Sequence, residues 1–221
     1  MKGVPILFEN DHCIVCNKPA GLAVQGGAEV RLSLDKILAE IRSPRPLLVH
    51  RLDKDVSGVI LAAKHKEAAA RFGTLFAGGP GIIKRYLAVC AGSPPEVAGS
   101  IGFALNIRGK EREAHTEYRK LSCTGDFSLL EIEIGTGRTH QIRRHLARIG
   151  NPILGDDKYG NFALNRDLRK AGALKRILLH AFRLVIAKDA CGFPLDVTAW
   201  PDWPDRYLKM GRETGQEMGT E

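Results

Sequence analysis

Short hydrophobic runs alternate with polar positions along most of the chain, a period-2 pattern that is typical of β-strands. The pattern predicts strands at PILFE, HCIVCNK, LLVHRLD, SGVILAAK, IIKRYLAVCAG, VAGSIGFAL, EAHTEYRKLS, FSLLEIEIG, LLHAFRLVIA and PLDVTAW. The last two are predicted to form a hairpin across the turn at 189–192. Because most of the strands follow one another directly, the pattern favours a largely antiparallel sheet.

Apolar residues recur at helical spacing in SLDKILAEIR, KEAAARFGTLFA and THQIRRHLARIG, and a shorter helix is predicted around NRDLRKAG. Ser33 is the predicted N-cap of the first helix, and the second ends at the GGP of 78–80. In the third helix, the expected inward positions are Ile142, Leu146 and Ile149, and the outward ones Arg143, Arg144 and Arg148. We therefore predict an α+β fold, a mixed and mainly antiparallel sheet with flanking helices.

The composition is that of an ordinary globular protein, with 44% hydrophobic and 26% charged residues. We expect one domain over residues 1–205 and a loose polar tail at 206–221. No apolar stretch approaches the roughly 18 residues of a membrane span, and the start MKGVPILFENDH lacks a signal-peptide core. Five cysteines at irregular spacings argue against a disulfide framework. These features predict a cytoplasmic protein that does not associate with membranes.

The net charge of +8 changes this picture, because a strongly basic chain favours an anionic partner. Nucleic acid is the commonest such partner, although many small proteins are basic for no specific reason.

Several local patterns have a catalytic or metal-binding interpretation that we consider weak. Cys13 and Cys16 form a C-x-x-C without a second pair, inside a predicted strand, which favours buried hydrophobic roles. A triad of His50, Asp53 and Ser57 is disfavoured, because residues three and four apart in an extended segment diverge. His140 and His145 would point about 140° apart on a helix. No metal site is expected.

Two stretches carry charges in unusual places. VHRLDKDVSGVILAAK, residues 49–64, places five charged or titratable side chains inside an otherwise apolar run, where an unpaired buried charge costs several kcal/mol. It fits either a site or a half-exposed strand that ends in a turn. GTGRTHQIRRHLARIG fits either a phosphate-binding entry to a helix or a solvated basic helix face. Spacing alone does not decide between these alternatives.

These stretches resemble a known family. HRLDKDVSG is similar to the H-R-L-D-x-x-T-S-G motif of the RluA family of pseudouridine synthases. Four further segments agree in order: VCNKPAGLAVQGG, IIKRYLAVCAG, GRTHQIRRHLARIGNPILGDDKYG and KRILLHAFRLVI. The resemblance extends from about Ile6 to Trp200. It implies the pseudouridine synthase fold with a central RNA-binding cleft, and an isomerase that converts uridine in RNA to pseudouridine without a cofactor.

The resemblance also implies roles for single residues. Asp53 would be the catalytic carboxylate, Arg138 the arginine that pairs with it, and Tyr86 the ring that packs against the target base. Arg51 would fill the gap that the everted base leaves, and Leu179 would line the other side of the base. Further substrate contacts are expected from His50, His140, Gln141, Arg143 and Arg144, and phosphate contacts from Arg148, Lys175 and Arg176.

The implied partner is RNA, with large-subunit ribosomal RNA favoured over tRNA, and the protein is expected to be a monomer that requires no metal. A non-catalytic RNA-binding protein is one alternative. A nucleoside hydrolase-like glycosidase that uses Asp53 with Asp55 is another. The sequence departs from the family at Val56, where Thr is usual. Because the match to the catalytic domain starts near Ile6, we expect no S4-type domain of the kind that larger members carry.

Overall fold

The computed structural model describes residues 4–27 and 31–209 and consists of a mixed sheet with flanking helices. The strands are β1 (Ile6–Glu9), β2 (Cys13–Lys18), β3 (Leu47–Leu48), β4 (Ser57–Ala63), β5 (Ile82–Ala91), β6 (Ala98–Ile101), β7 (Leu105–Ile107), β8 (Lys110–Arg112), β9 (Thr116–Thr124), β10 (Phe127–Ile134), β11 (Leu179–Ile186) and β12 (Leu195–Thr198). The helices are α1 (Leu34–Ile41), α2 (Lys66–Phe76), α3 (Gln141–Arg148), α4 (Phe162–Lys170), α5 (Lys188–Cys191) and α6 (Asp205–Leu208).

The main sheet has the strand order β1-β2-β4-β11-β5-β10-β9-β6, with β3 added to β4 and β12 to β11. Every pair is antiparallel except β4 with β11, and β7 pairs with β8 in a separate two-stranded sheet. The predicted α+β class and the mainly antiparallel sheet are therefore confirmed.

The parallel pairing of β4 with β11 depends on Gly58. Gly58 has φ +118, and a Cβ at this position would lie 2.2 Å from the carbonyl oxygen of its cross-strand partner Ala181. Only glycine allows this conformation and this approach of two backbones. The pairing aligns the start of β4 with the start of β11, so the charged stretch before β4 lies beside Leu179.

Alternation along β2 places its side chains in two different core clusters. Cys13 belongs to the cluster that contains Phe72 of α2, and Cys16 to the cluster that contains Leu38 of α1. Both cysteines are buried and free. The two thiols therefore lie on opposite faces of the sheet, which confirms the prediction that they act as small hydrophobic residues.

Two predicted strands are shorter than the pattern indicated. LLVHRLD forms a strand only at Leu47–Leu48, and residues 49–56 form a loop. Beyond Leu48, the backbone N–H of Leu61 in β4 donates to the imidazole of His50 and not to a backbone carbonyl of a longer β3. VAGSIGFAL divides into β6 and β7, because the carbonyl oxygen of Phe103 turns to His145 on α3.

The chain is also ordered further than expected at its C-terminal end. The predicted loose tail begins at residue 206, but α6 continues to Leu208, and Tyr207 is 2% exposed with its hydroxyl donating to the carbonyl of Ala173. The remainder of the predicted tail, 210–221, lies outside the described residues. Within the described ranges, no helix has the length and apolar character needed to cross a membrane.

Candidate active site

Residues 49–56, which we call the catalytic loop because the resemblance implies a catalytic carboxylate at Asp53, place one charged side chain inward. Leu52 and Val56 are buried, and the N–H of Val56 donates to the carbonyl of Asp53 to close a turn. The side chain of Asp53 is 20% exposed. The other charged residues of the loop are exposed: Arg51, Lys54 and Asp55. Val56 packs in the core, so a valine fits this position without the hydroxyl of the family's threonine.

His50 anchors the start of the catalytic loop. Its Nε2 accepts the N–H of Leu61 over 2.9 Å, and its ring stacks on Phe76 with centroids 3.8 Å apart. Burial lowers the pKa of His50 to about 3, with nearby Lys84 acting in the same direction. The ring is thus neutral and already bonded to the protein, so the structure shows that His50 holds β4 through Nε2, and its predicted substrate contact stays a prediction.

Asp53 and Arg143 form the ion pair at the centre of the site. Nη1 of Arg143 donates to Oδ2 of Asp53 over 2.9 Å. Nε and Nη2 of the same guanidinium donate to the two carboxylate oxygens of Asp156, each over 2.8 Å. Asp156 is 1% exposed and also accepts the backbone N–H groups of Lys158 and Tyr159. The bidentate contact fixes the guanidinium plane and so directs Nη1 at Asp53.

Arg143 and Asp156, the other two members of this network, remain charged. Burial by itself would lower the pKa of Arg143, but the carboxylates of Asp156 and Asp53 outweigh it and raise that pKa. Burial by itself would raise the pKa of Asp156, but hydrogen bonds from Arg143 and from two backbone N–H groups lower it overall. One guanidinium therefore serves two carboxylates, which orients Asp53 without neutralising it completely.

The predicted pair between Arg138 and Asp53 is not present, and Arg143 takes that place. Arg138 is exposed, and its Nε donates to the carbonyl of Glu113 over 3.2 Å. The prediction that α3 turns Arg143 outward is also wrong, since its side chain is 11% exposed. The spacing of apolar residues in α3 predicts an exposed side chain at position 143. It could not predict that Arg143 turns inward, because two carboxylates from other segments stabilise its guanidinium there.

Gln141 was expected to contact substrate, but its amide is fully engaged within the protein. Oε1 accepts from Thr136 Oγ1 and from the N–H of Arg138, over 2.7 and 3.0 Å. Nε2 donates to the carbonyl of His115 and to Thr116 Oγ1, over 2.8 and 3.1 Å. Every donor and acceptor position of the amide is used. Gln141 therefore shapes the turn before α3 and does not have a free group for substrate.

His140 stands at the N-terminal end of α3 in the left-handed conformation, with φ 53 and ψ 30. Its Nδ1 lies 3.1 Å from the hydroxyl of Tyr159, and its Nε2 lies 3.7 Å from Oδ2 of Asp53. Burial lowers the pKa of His140, although the charge of Asp53 acts the other way. The ring is therefore mainly neutral near pH 7 and leaves Arg143 as the cation that faces Asp53.

Lys18 supports the catalytic loop from inside the protein. It is fully buried, and its ammonium donates to the carbonyls of Pro19, Leu22 and Lys54 over 3.1, 2.8 and 3.0 Å. Burial lowers its pKa to about 8, opposed by the charges of Asp55 and Asp53. The ammonium form supplies the three donors that three carbonyls require, so Lys18 ties the loop to the segment after β2.

A cavity of about 100 Å³ opens beside the ion pair, with Asp53, Tyr86, Arg138 and Leu179 among its walls. Tyr86 of β5 pairs with Ala181 of β11, and Leu179 lies two residues before Ala181. The side chains of Tyr86 and Leu179 therefore point to the same face of the sheet. Burial raises the pKa of the Tyr86 hydroxyl, and the charge of Asp53 adds to this effect. The phenol is therefore protonated at neutral pH, and its ring is a wall of the cavity.

Most of the arginines predicted to bind phosphate have internal partners instead. Nη1 of Arg144 donates to the carbonyl of Asn106 over 3.1 Å, and the guanidinium of Arg148 lies 4.0 Å from the ring centroid of Phe103. Arg176 donates to Ser57 Oγ and pairs with Asp202. Arg144, which was expected to contact substrate, thus has one guanidinium nitrogen engaged by strand β7.

Other cations around the cavity have no side-chain hydrogen bond or ion pair with a described residue, although the ammonium of Lys158 lies 5.5 Å from the ring centroid of Tyr159. A groove of about 670 Å³ meets the cavity at Asp53, His140 and Arg143. The exposed lysines that line the groove are Lys54, Lys158 and Lys175. Arg51 lines the cavity and the groove and, over the described parts of the chain, makes no side-chain hydrogen bond or ion pair.

The sequence did not lead us to three residues that position the site. Lys18 holds the catalytic loop, Asp156 holds Arg143, and Tyr159 contacts His140. Their signal was present in the NKPAG and GDDKYG segments, which we used only for the resemblance and not for their side chains. Ser57 does have a histidine partner, but it is the buried His180 and not His50. Over residues 4–27 and 31–209, no group of three or more His, Cys, Asp or Glu is arranged to hold a metal ion.

Comparison with known proteins matches this arrangement to one family. A family model described as RNA pseudouridylate synthase matches residues 12–148. The ribosomal large subunit pseudouridine synthase C of Rickettsia bellii is 35% identical over 209 residues, covering 88% of this chain and 67% of that protein. The synthase C of Rickettsia prowazekii is 37% identical, covering 71% of this chain and 56% of that protein. The ribosomal large subunit pseudouridine synthase D of Zymomonas mobilis is 33% identical, with 88% and 68% covered. The chain thus spans between about half and two thirds of these relatives.

Solved structures agree with the sequence matches. The human RNA pseudouridylate synthase domain containing 4 has a TM-score of 0.74 and 27% identity, with 92% of this chain and 90% of that chain covered. The human RNA pseudouridylate synthase domain containing 1 also has a TM-score of 0.74, at 25% identity, with 94% and 86% covered.

Proposed function

Because this chain belongs to the family of RNA pseudouridylate synthases, we propose that it converts uridine in RNA to pseudouridine, with Asp53 as the catalytic carboxylate. The observation that carries the assignment is the Asp53–Arg143–Asp156 network at the wall of a small cavity. The reaction breaks the bond between N1 of uracil and C1′, turns the base within the site, and joins C5 to C1′.

The cavity accounts for how a uracil is held. A base stacked in RNA is out of reach of a cavity wall, so the target nucleotide must be everted at a cost of a few kcal/mol. The ring of Tyr86 offers a π face for the everted base, and Leu179 offers an aliphatic wall on the same side of the sheet. Arg51 lines the cavity, is exposed and has no hydrogen-bond or ion-pair partner among the described residues, so its guanidinium can stack in the place that the base leaves.

Asp53 has one oxygen for orientation and one for chemistry. Oδ2 is held by Arg143, whereas Oδ1 makes no hydrogen bond with any described residue. The carboxylate can attack C1′, attack C6 of the base or remove the 2′ proton, and each route requires an ionised, oriented oxygen. Arg143 fixes the direction of the carboxylate, and Oδ1 is the oxygen left for the substrate.

After C5 has joined C1′, the C5 proton passes to water or to the released carboxylate of Asp53, and N1 takes up a proton, so that no proton is gained or lost overall; Tyr86 is not the base for this step. Its phenol has a raised pKa, so a phenolate is scarce at neutral pH. In this proposal the phenol stays protonated and Tyr86 acts through its ring.

The two alternative functions fit the site less well. A glycosidase with two carboxylates would need Asp55 to face the substrate, but Asp55 is exposed and lines the groove, not the cavity. An RNA-binding protein without catalysis has no use for a buried guanidinium that aims one carboxylate into a cavity.

The RNA substrate that we propose is large-subunit ribosomal RNA. Relatives from Rickettsia and Zymomonas carry names that state this substrate. Mapping of pseudouridines in total RNA from cells with and without the gene should show a loss in large-subunit RNA, and a loss confined to tRNA would favour the tRNA alternative.

The test of the catalytic assignment is Asp53→Asn, matched with Asp55→Asn as a control two residues away. Asp53→Asn should abolish pseudouridine formation and leave RNA binding near the wild-type value, because Arg143 keeps Asp156 as its partner. Asp55→Asn should retain activity. Carbodiimide treatment and primer extension on transcribed large-subunit RNA provide the measurement, and product from the Asp53→Asn protein would disprove the role of Asp53.

A further inference from the structure

The β7–β8 hairpin is separate from the main sheet and carries three exposed cations. They are Arg108, Lys110 and Arg112. Arg108 and Gly109 form the tip, with φ 53 and φ 80. In the described part of the chain, none of the three cationic side chains has a hydrogen-bond or ion-pair partner. They therefore differ from the arginines of α3, whose guanidinium groups are held by carboxylates, a carbonyl or an aromatic ring.

The register of the hairpin places two of these cations on one face. Lys110 lies opposite Ile107, and Arg112 lies opposite Leu105, so these four side chains share a face. Leu105 is 4% exposed, which shows that this face is turned to the body of the protein. Glu111 alternates to the other face. Lys110 and Arg112 thus share the face of Leu105 but remain exposed, and they lie on the face opposite to Glu111.

Side chains at and before α3 fasten both ends of the hairpin to the active site. Before β7, His145 contacts the carbonyl of Phe103, and beside it Arg144 donates to the carbonyl of Asn106 in β7, over 2.9 and 3.1 Å. After β8, Arg138 and Gln141 donate to the carbonyls of Glu113 and His115, over 3.2 and 2.8 Å. Arg138 and Gln141 also line the catalytic cavity. The hairpin is therefore fastened to residues that line the cavity.

The cations that have no hydrogen-bond or ion-pair partner among the described residues therefore form two groups near the cavity. One group lines the groove that meets the cavity at Asp53, and the other is the hairpin, which joins the cavity through Arg138. Arg138 lines the cavity but not that groove, so the hairpin borders a different part of the rim. A polyanionic chain that inserts one of its residues into the cavity would therefore have cations available on either side of that residue.

We propose that the β7–β8 hairpin binds the phosphate backbone of the RNA substrate beside the everted nucleotide, through Lys110 and Arg112 on its inner face and Arg108 at its tip. This inference rests on the proposed function, since it takes RNA to be the molecule that enters the cavity. Phosphate contacts position the strand and carry no sequence information by themselves. The hairpin would thus set how firmly the target nucleotide is presented, and not the chemistry at Asp53.

The experiment compares the double variant Lys110→Gln, Arg112→Gln with the control Lys66→Gln, Lys188→Gln. The control removes the same charge from exposed positions beyond the far ends of β4 and β11. Binding to a single-stranded RNA of mixed sequence is titrated over a range of salt concentrations. Each lost phosphate contact lowers the slope of log K against log salt by roughly 0.7–0.9, so the hairpin variant should show a slope smaller by about 1.5. The control should match the wild type.

Activity on transcribed large-subunit RNA separates this inference from the proposed function. The hairpin variant should need more RNA to reach half of its maximal single-turnover rate, with the maximal rate itself near the wild-type value. The charge reversal Lys110→Glu, Arg112→Glu should weaken binding further. Unchanged affinity and salt slope in both hairpin variants would overturn the inference. A wild-type protein that binds RNA but forms no pseudouridine would instead overturn the proposed function.

Discussion

The catalytic loop, 49–56, and the segment 135–148, which contains the turn before α3 and α3 itself, contrast in how they use their charges. Both are rich in cationic residues in the sequence. The loop exposes Arg51 and Lys54 and turns only Asp53 inward. The segment 135–148 engages its cationic side chains internally, from the buried Arg143 to Arg148 on Phe103.

This contrast shows that the density of cationic residues in a sequence does not identify the ones that bind a polyanion. A guanidinium with a good internal partner contributes to positioning, because its hydrogen bonds and charge are already in use. A guanidinium or ammonium without such a partner is free to bind substrate. Arg143 and Arg51, one from each region, represent these two cases and can be compared directly.

The largest effect in this comparison is expected from Arg143→Ala. The change leaves Asp53 and the buried Asp156 without their shared cation, so we expect a loss of about 3–5 kcal/mol in the free energy of unfolding. Catalysis should fall to the level of Asp53→Asn. Arg143→Lys should recover part of the stability but little activity, because an ammonium cannot bind Asp156 in a bidentate manner and reach Asp53. Chemical denaturation and single-turnover assays measure both quantities, and wild-type stability in Arg143→Ala would contradict the account.

The fold was largely predictable because its signals are local. Alternating and helical hydrophobic patterns are set by the burial of one face, and they correctly predicted β2, β4, β5, β10, α1, α2 and α3. The failure at LLVHRLD follows from the same principle. Alternation continued through residues 49–52, but the ring of His50 accepts the N–H of Leu61, and this contact is invisible to a pattern of hydrophobicity.

The site was only partly predictable because its central contacts join distant segments. The resemblance to a family predicted the roles of Asp53 and Tyr86, which stay predictions, and the structure places both at one cavity. It could not decide which arginine meets Asp53, because that depends on the direction in which α3 approaches the loop. Asp156 shows the same limit, since its significance appears only when the guanidinium of Arg143 is found between two carboxylates.

A smaller effect, which depends on pH, distinguishes how the two regions are anchored. The catalytic loop is anchored by His50, whose pKa in the folded protein is about 3 against an ordinary value of 6.5. The unfolded chain therefore takes up this proton first as pH falls below 6.5, and stability is lost from there down to about pH 3. At pH 5 the loss is about 2 kcal/mol for this one histidine. The anchors of α3, Arg143 and Gln141, do not titrate in this range.

Chemical denaturation at pH 7 and pH 5 measures this loss, with His50→Gln as the matched variant. The Gln side chain can also accept the N–H of Leu61 but does not titrate, so its pH-dependent loss should be smaller by about 2 kcal/mol. His180, whose pKa burial lowers to about 4, contributes equally to both proteins and cancels in the difference. Equal losses in the two proteins would show that His50 is not the titrating anchor.

The smallest effect on stability is expected from Arg51→Ala, the counterpart of the change at Arg143. Arg51 is exposed and, within the described residues, has no hydrogen-bond or ion-pair partner. The free energy of unfolding should therefore change by less than about 0.5 kcal/mol. Its effect should fall on RNA, where the loss of a stacking side chain in the vacated position should reduce conversion roughly ten- to a hundredfold.

Arg51→Lys decides whether stacking or charge underlies this effect. Lysine keeps the charge but lacks the planar face that stacks on neighbouring bases. If Arg51 fills the gap left by the everted uridine, Arg51→Lys should remain almost as slow as Arg51→Ala in single-turnover conversion and should bind RNA more tightly than the alanine variant. If the lysine variant converts RNA at the wild-type rate, Arg51 acts as a phosphate contact like the cations of the hairpin. In that case everting the base depends on residues other than Arg51, and the catalytic loop contributes only Asp53 to the chemistry.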